Sequence, residues 1–301
     1  MPKSILLLCT LVVCTCLSAQ ELDAITIPGS TVSFKLAALS GGTFAMVPEG
    51  KSVTLSPFSI STHEVTHDAY RLFQRRDNDT PTAATEAFDV DAITRPTPPY
   101  LDFTYGMGTR GGYPQVNVTQ QAALRYCEWL YLKTGRFFRL PTEAEWEYAC
   151  LAGQDTPSSD VLKDHAWFFE NGEEVFHKVG QKKPNAWGLY DMLGNVSEWT
   201  LDHYKTDYFD LIGASPTNPW IEPTRKHTRT VRGGSYDTYT EEAGCRVREK
   251  SSPKWQARDP QIPKSKWWNV DSEFLGFRLV SPAKQPSTEE VAAFFAKAIV
   301  D

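Results

Sequence analysis

Apolar residues recur at helical spacing in four stretches of this chain and at strand-like spacing in several shorter ones. The clearest helix is predicted from Thr119 to Thr134. Ala123, Cys127, Leu130 and Tyr131 fall on one stripe there, and Gly135 supplies the residue best suited to end it. Thr142 and Glu145 form a reciprocal cap ahead of a second helix, which carries Trp146 and Cys150 on one face. Thr66 can cap a third, through Tyr70 and Phe73. Ser287 and Glu290 open a fourth, with Val291, Phe294, Phe295 and Ala298 as its apolar face.

Val32–Leu36 and Thr43–Val47, either side of Gly41-Gly42, read as strands, as do Val53–Ile60, Phe137–Leu140 and Phe277–Val280. Asp77–Gly112 shows no period and is rich in Thr, Pro, Asp and Gly. It is either a functional loop or a surface excursion pinned by Phe88, Tyr100, Phe103 and Tyr105. No internal repeat is visible. The simplest organisation is one loop-rich α+β domain over residues 21–283, with a short helix in 284–301 that docks on its own domain.

Residues 1–20 stand apart as a signal peptide. Lys3 gives the positive start, Ile5–Leu17 the apolar run, and Ser18-Ala19-Gln20 the small residues at a cleavage point. The run is too short to span a bilayer and no second one approaches that length, so no transmembrane segment is expected. Export to a periplasmic, secreted or cell-surface location follows. A lipid anchor at Cys14 or Cys16 stays open, although Val13 and Thr15 suit such a motif poorly. The formal charge of −6 leaves no basic footprint for phosphate and argues against a nucleic-acid partner. Three cysteines follow the signal, Cys127, Cys150 and Cys245, which permits at most one disulfide. Cys127 and Cys150 sit in helical patterns and are expected to be small buried hydrophobes.

His63-Glu64-Val65-Thr66-His67 matches the H-E-x-x-H zinc pattern. That pattern works only on a helix, and here strand-like residues precede it. Thr66 serves better as a cap, which leaves His63 outside the helix and the imidazoles too far apart for one zinc ion.

Five segments carry a family resemblance: Glu64-Val65-Thr66; Phe138-Arg139-Leu140-Pro141-Thr142-Glu143-Ala144-Glu145-Trp146-Glu147-Tyr148-Ala149; Asn185 through Thr200, including Gly188-Leu189-Tyr190-Asp191 and Gly194-Asn195-Val196-Ser197-Glu198-Trp199; Val231-Arg232-Gly233-Gly234-Ser235-Tyr236; and Leu275-Gly276-Phe277-Arg278. In this order they resemble the formylglycine-generating enzymes, or sulfatase-modifying factors. The resemblance spans roughly residues 40–280 and implies a loop-rich α+β fold related to C-type lectins. It also implies a structural calcium site held by Asp191, the carbonyls of Gly194 and Val196, and Glu198, a donor set of the hard oxygens calcium prefers. Many members have Asn at the position of Asp191. A turn held by its own hydrogen bonds is the alternative for this loop. A second calcium site of the family would fall near Asp164–Asn171, where its ligands are not matched.

The resemblance breaks where the chemistry should be. Formylglycine-generating enzymes hold copper(I) on two thiols just after the Gly-Gly-Ser segment, because soft thiolates suit that ion. Here the first position is Thr238 and the second is Ala243 or Glu242, according to the end counted from. Cys245 would have to act alone, so copper is not expected. The leading expectation is a binding or structural module for a peptide, glycan or protein partner, using a cleft floored by Trp199, Ser235, Asp237, Thr238 and Arg246. Two enzymatic alternatives stay open: an iron-dependent oxidase using His203 or His227, and a part in sulfatase maturation with a sulfatase as partner. Trp255, Trp267 and Trp268 either stack on a ligand or, more commonly for such residues, pin their loop to the core.

Overall fold

The computed structural model describes residues 22–300 apart from 47–49, 91–92, 100–101, 155–157 and 257–264. The proposed signal peptide, with Cys14 and Cys16, and Tyr100 lie outside the described residues.

The chain starts with strands β1 (Leu22–Thr26) and β2 (Ser33–Leu39), the hairpin β3 (Gly42–Met46) and β4 (Lys51–Leu55), and β5 (Phe58–Ser61). The single strand expected over Val53–Ile60 is in fact two, in different sheets. Pro57 has no N–H for a ladder, and the Ser56 amide instead donates to Asn218 Oδ1 at 2.7 Å. Helix α1 (His67–Gln74) follows, capped by Thr66, whose Oγ1 accepts from the Ala69 amide. The aperiodic stretch after it contains one short helix, α2 (Ala83–Phe88), with a Thr82/Thr85 capping box. Six residues burying only Thr85 leave no hydrophobic period to read.

Helix α3 (Gln120–Thr134) starts at Thr119 and ends at Gly135 with φ 70°, and α4 (Glu143–Leu151) starts at the reciprocal Thr142/Glu145 box. Between them, Phe137–Leu140 is not a strand and keeps only an isolated bridge from Arg139 to Val280. The chain continues through α5 (Ser159–His165), β6 (Ser197–His203), α6 (Tyr208–Leu211), β7 (Arg229–Arg232), β8 (Glu249–Lys250), β9 (Leu275–Gly276) and β10 (Val280–Pro282). It closes with α7 (Thr288–Ala298), whose Ser287/Glu290 box is present.

Two four-stranded sheets result, ordered β1-β2-β5-β10 and β8-β7-β6-β9. In the second, β6 pairs antiparallel with β7 and parallel with β9. α3 is central to the main core, where Tyr126 and Trp129 meet Tyr70 and Phe73 with ring centroids 5.5–5.9 Å apart. Trp267 and Trp268 are buried in this cluster and Trp255 lies edge-on to Trp199, so these tryptophans pin their loop. α7 docks on the same core, with Phe294 and Phe295 edge-on to Phe137.

A second cluster gathers Trp146, Ala149, Leu189 and Met192 around a disulfide between Cys150 and Cys245. The expectation of a lone buried thiol holds for Cys127 and fails for Cys150. The last turn of α4 meets a loop 95 residues later, a closeness that neither local sequence displays. Replacing Cys245 with Ser is expected to lower unfolding free energy by about 2–5 kcal/mol in urea titrations. An unchanged midpoint would mean that the crosslink does not form.

Candidate functional site

The site region is built on charged groups that the fold buries and pairs. α4 carries Glu143, Glu145 and Glu147, all buried. Glu143 and Glu147 lie one turn apart on one face and Glu145 points to another, and each carboxylate meets a different arginine. Glu145 takes both terminal nitrogens of Arg139 at 2.6 and 2.7 Å, Glu147 pairs with Arg232, and Glu143 pairs with Arg248 while accepting from Thr230 Oγ1. Asp202 accepts from the Glu143 amide at 2.8 Å, and burial with Glu143 nearby pushes its carboxyl up to about 8.

β6 adds Glu198 to this set. Strand alternation sends Trp199 to the α3 core and Glu198 the other way, where Trp146 Nε1 donates to it at 2.7 Å. Arg278 follows β9 and donates to Glu198 through Nε, to the Ser61 carbonyl through Nη1, and to the Tyr190 and Asp191 carbonyls through Nη2. Beside it, Asp191 Oδ2 accepts from the Gly180 amide at 2.6 Å and Glu64 Oε1 accepts from Asn195 Nδ2 at 3.0 Å. The other oxygen of each, Asp191 Oδ1 and Glu64 Oε2, is buried without a partner among the described residues. Burial pushes Asp191 up to about 6; burial and then Asp191 push Glu64 well above the usual carboxylate range.

Of the expected calcium ligands, Asp191 therefore offers a free oxygen, whereas Glu198 is engaged by Arg278 and Trp146. Gly194 shapes the loop between them. Its φ is +69°, and a Cβ there would sit 2.3 Å from the Trp167 carbonyl oxygen. Asp191 also borders a cavity of about 300 Å³ walled by Leu162, Leu189, Met192 and the disulfide. Among the described residues, no group of three or more His, Cys, Asp or Glu side chains is arranged to hold a metal ion.

The Gly233-Gly234-Ser235 segment forms a tight turn, with φ of 102° and 70° at the glycines. Thr238 Oγ1 accepts from the Ser235 amide at 2.9 Å, and Ser235 Oγ accepts from the Asp237 amide at 3.2 Å. The Thr238 carbonyl accepts from the Phe169 amide. Tyr236 packs inward on Phe176, Val196 and Val116. Ser235, Asp237 and Thr238 are thus brought together, with Asp237 exposed. Trp199 is not with them. It is buried, donates to the Val118 carbonyl and lines a separate small cavity with His227, Arg229 and Trp255. Arg246 is exposed just beyond the disulfide. The expected five-residue cleft is therefore not one site: Trp199 lies apart from the Ser235–Thr238 turn.

His63 and His67 do not converge. His63 bonds Thr62 and stacks on Tyr190, while His67 sits in the first turn of α1 against Gln115. Glu64, the central residue of that motif, instead enters the carboxylate cluster. His203 packs beside its cross-strand partner Arg229, and burial, followed by that positive charge, lowers its pKa.

A loop-rich α+β domain with a double-glycine turn, held by buried carboxylate–arginine pairs, defines the class of this protein. Residues 18–282 match the sulfatase-modifying factor enzyme 1-like domain, and the chain belongs to that family. It is 31% identical to the formylglycine-generating enzyme of Mus musculus over 164 residues, covering 48% of this chain and 41% of that protein. It is 34% identical to the serine/threonine-protein kinase pkn1 of Chlamydia pneumoniae over 47% of this chain and 22% of that protein. It is also 34% identical to the inactive C-alpha-formylglycine-generating enzyme 2 of Bos taurus, over 44% of this chain and 49% of that protein. The matches thus span at most about half the length of these relatives. In fold, it resembles the Treponema denticola variable protein 1, with a TM-score of 0.64, 24% identity and coverage of 87% of this chain and 99% of that one. PvdO from Pseudomonas aeruginosa is similar at TM-score 0.59, with 24% identity and 86% and 98% coverage.

Two outcomes follow for the buried charges. Replacing Arg278 with Met strands Glu198 and is expected to cost about 3–5 kcal/mol in chemical unfolding; a loss under about 1 kcal/mol would show that the pair is replaceable. For Asp191, the folded pKa stands above the unfolded value of about 4. Its contribution to stability is therefore greatest below about pH 4 and falls as pH rises through about 6. Asp191→Asn, which keeps the φ of 50° readily, is expected to gain relative to the parent between pH 4 and pH 7 in chelator. A difference that stays flat or moves the other way would refute that assignment.

Proposed function

We propose that this chain is an exported binding module of the sulfatase-modifying factor family, with a peptide, glycan or protein partner, and that it does not run the copper-dependent oxidation. The observation that carries this reading is the fate of the thiols. At the first position the resemblance assigns to a copper ligand, the Thr238 hydroxyl is spent closing its own turn. Cys245 is bonded to Cys150, and Cys127 is buried in α3. This donor set does not fit a copper(I) centre, which needs soft thiolates. That a bovine relative is named an inactive formylglycine-generating enzyme supports the same direction.

The surface beside the turn suits recognition. Tyr239 is exposed and leans on Phe169 with ring centroids 4.7 Å apart, next to the exposed Asp237. Such an aromatic face with an adjacent carboxylate can stack on a sugar ring or a side chain and accept a hydrogen bond from it. A calcium ion on the Asp191 loop would stiffen the neighbouring segment. The unpartnered Asp191 Oδ1 supports this part of the proposal.

Three measurements on the mature chain test the reading. A cysteine peptide supplied with copper(I) and dioxygen should show no formylglycine by mass spectrometry; conversion would overturn the non-oxidase reading. On glycan and peptide arrays, Tyr239→Ala should lose at least about tenfold in signal, as expected for a stacking anchor, and binding indifferent to Tyr239 would place recognition elsewhere. Calcium at about 1 mM, a level suited to extracellular sites, should raise the unfolding temperature of the parent and not of Asp191→Asn. An equal response in both proteins would remove the proposed site.

A further inference from the structure

A second concave surface lies between α1 and the loop that follows α2. It is a cleft of about 310 Å³, within the usual range for small-molecule sites. α1 supplies one wall through Arg71, with Arg75 one turn later on the same face. The loop supplies the other wall through Arg110 and Asp102, and Phe103 and Trp268 add aromatic surface. Asp68 accepts from the Gly111 and Gly112 amides at 2.9 Å each, which fixes the segment carrying Arg110 against α1.

The charges here are unlike those elsewhere in the protein. Most other arginines of the described chain hold a carboxylate, among them Arg95, Arg139, Arg232, Arg248 and Arg278. Arg71, Arg75 and Arg110 hold none among the described residues. The one carboxylate in the cleft, Asp102, is already committed to the Thr104 amide, the Thr104 hydroxyl and the Gly106 amide. Those hydrogen bonds keep its pKa low and its charge in place despite the opposing effect of desolvation. Three guanidinium groups line the cleft against one lining carboxylate, with Asp68 behind Arg110 as a second, so positive charge is in excess there on a chain whose formal charge is −6. A local field of that sign in a concave site concentrates anions from solution.

We infer that this cleft binds a small phosphate monoester carrying a ring, with the phosphate on Arg71, Arg75 and Arg110 and the ring against Phe103 and Trp268. Planar guanidinium groups match phosphate oxygens in geometry as well as charge. A phosphate monoester carries a charge of about −1.5 to −2 near neutral pH, so it brings more negative charge to the three guanidinium groups than a carboxylate or a sulfate ester does. The inference is independent of the reading of the Ser235–Thr238 turn, and either can fail alone.

Isothermal titration calorimetry with phenyl phosphate tests it, with phenyl sulfate, benzoate and inorganic phosphate as comparisons at low salt. Phenyl phosphate should bind most tightly, and its affinity should fall as salt rises. Arg71→Met on the helix and Arg110→Met on the loop should each weaken it by at least about tenfold, as loss of a charge-assisted pair requires. Arg225→Met, outside the cleft, should leave it unchanged. The unfolding temperature should be unaltered in all three variants, since none of these side chains holds another residue. No heat of binding up to millimolar phenyl phosphate, or equal affinity in the parent and both cleft variants, would overturn the inference. Equal affinity for benzoate and phenyl phosphate would overturn the assignment of phosphate.

Discussion

The Arg278–Glu198 pair is the contact on which the rest of the structure depends. A guanidinium with no exposure is costly to desolvate, and it is tolerated only when its donors all find acceptors. Every nitrogen of Arg278 finds an oxygen, from β6, from the end of β5 or from the Tyr190–Asp191 backbone. The two four-stranded sheets and the central loop are thereby fixed to one side chain. Two residues earlier, Gly276 lets β9 lie close to the Gln115 backbone, because a Cβ there would lie 2.6 Å from its carbonyl oxygen. A lysine could neutralise Glu198 but could not serve so many acceptors in a fixed plane.

The same device recurs through α4. A domain with so much irregular backbone has few ladders to fix its loops, and buried side-chain pairs take over that task. Glu143, Glu145 and Glu147 each tie the helix to a different segment, reaching Arg248, Arg139 and Arg232. Such pairs are directional, whereas apolar contact is not, so they select one loop arrangement among many compact ones. That is a reason for a helix otherwise suited to a protein surface to lie largely inside.

This also explains what could and could not be read along the chain. The starts of α1, α3, α4 and α7 were legible because a cap is completed within a few residues. The break at Pro57 was equally local and could have been seen, since proline cannot continue a central ladder. The division of the expected cleft was also within reach. Alternation at the start of β6 sends Trp199 and Glu198 to opposite faces, and only one of them can face the double-glycine turn. The Glu–Arg pairs were not legible, because their partners lie 80 to 105 residues apart along the chain in Glu198–Arg278, Glu147–Arg232 and Glu143–Arg248. A buried glutamate moreover reads as a solvated one. The disulfide was hidden for the same reason of distance.

The double-glycine turn is held together without any thiol. Gly233 and Gly234 supply the positive φ angles, and the Gly233 carbonyl accepts from the Gly194 amide, so the turn is anchored to the Asp191 loop by backbone alone. None of that depends on what occupies position 238. A free thiol there would be a weak hydrogen-bond partner and a reactive one. The threonine hydroxyl is a stronger acceptor, and it uses that capacity on the Ser235 amide, which would otherwise lack a partner within the turn. With threonine at this position the turn carries a hydrogen bond that stiffens it. A rigid turn presenting Asp237 and Tyr239 is the arrangement that a recognition surface needs, because little side-chain freedom is left to lose on binding.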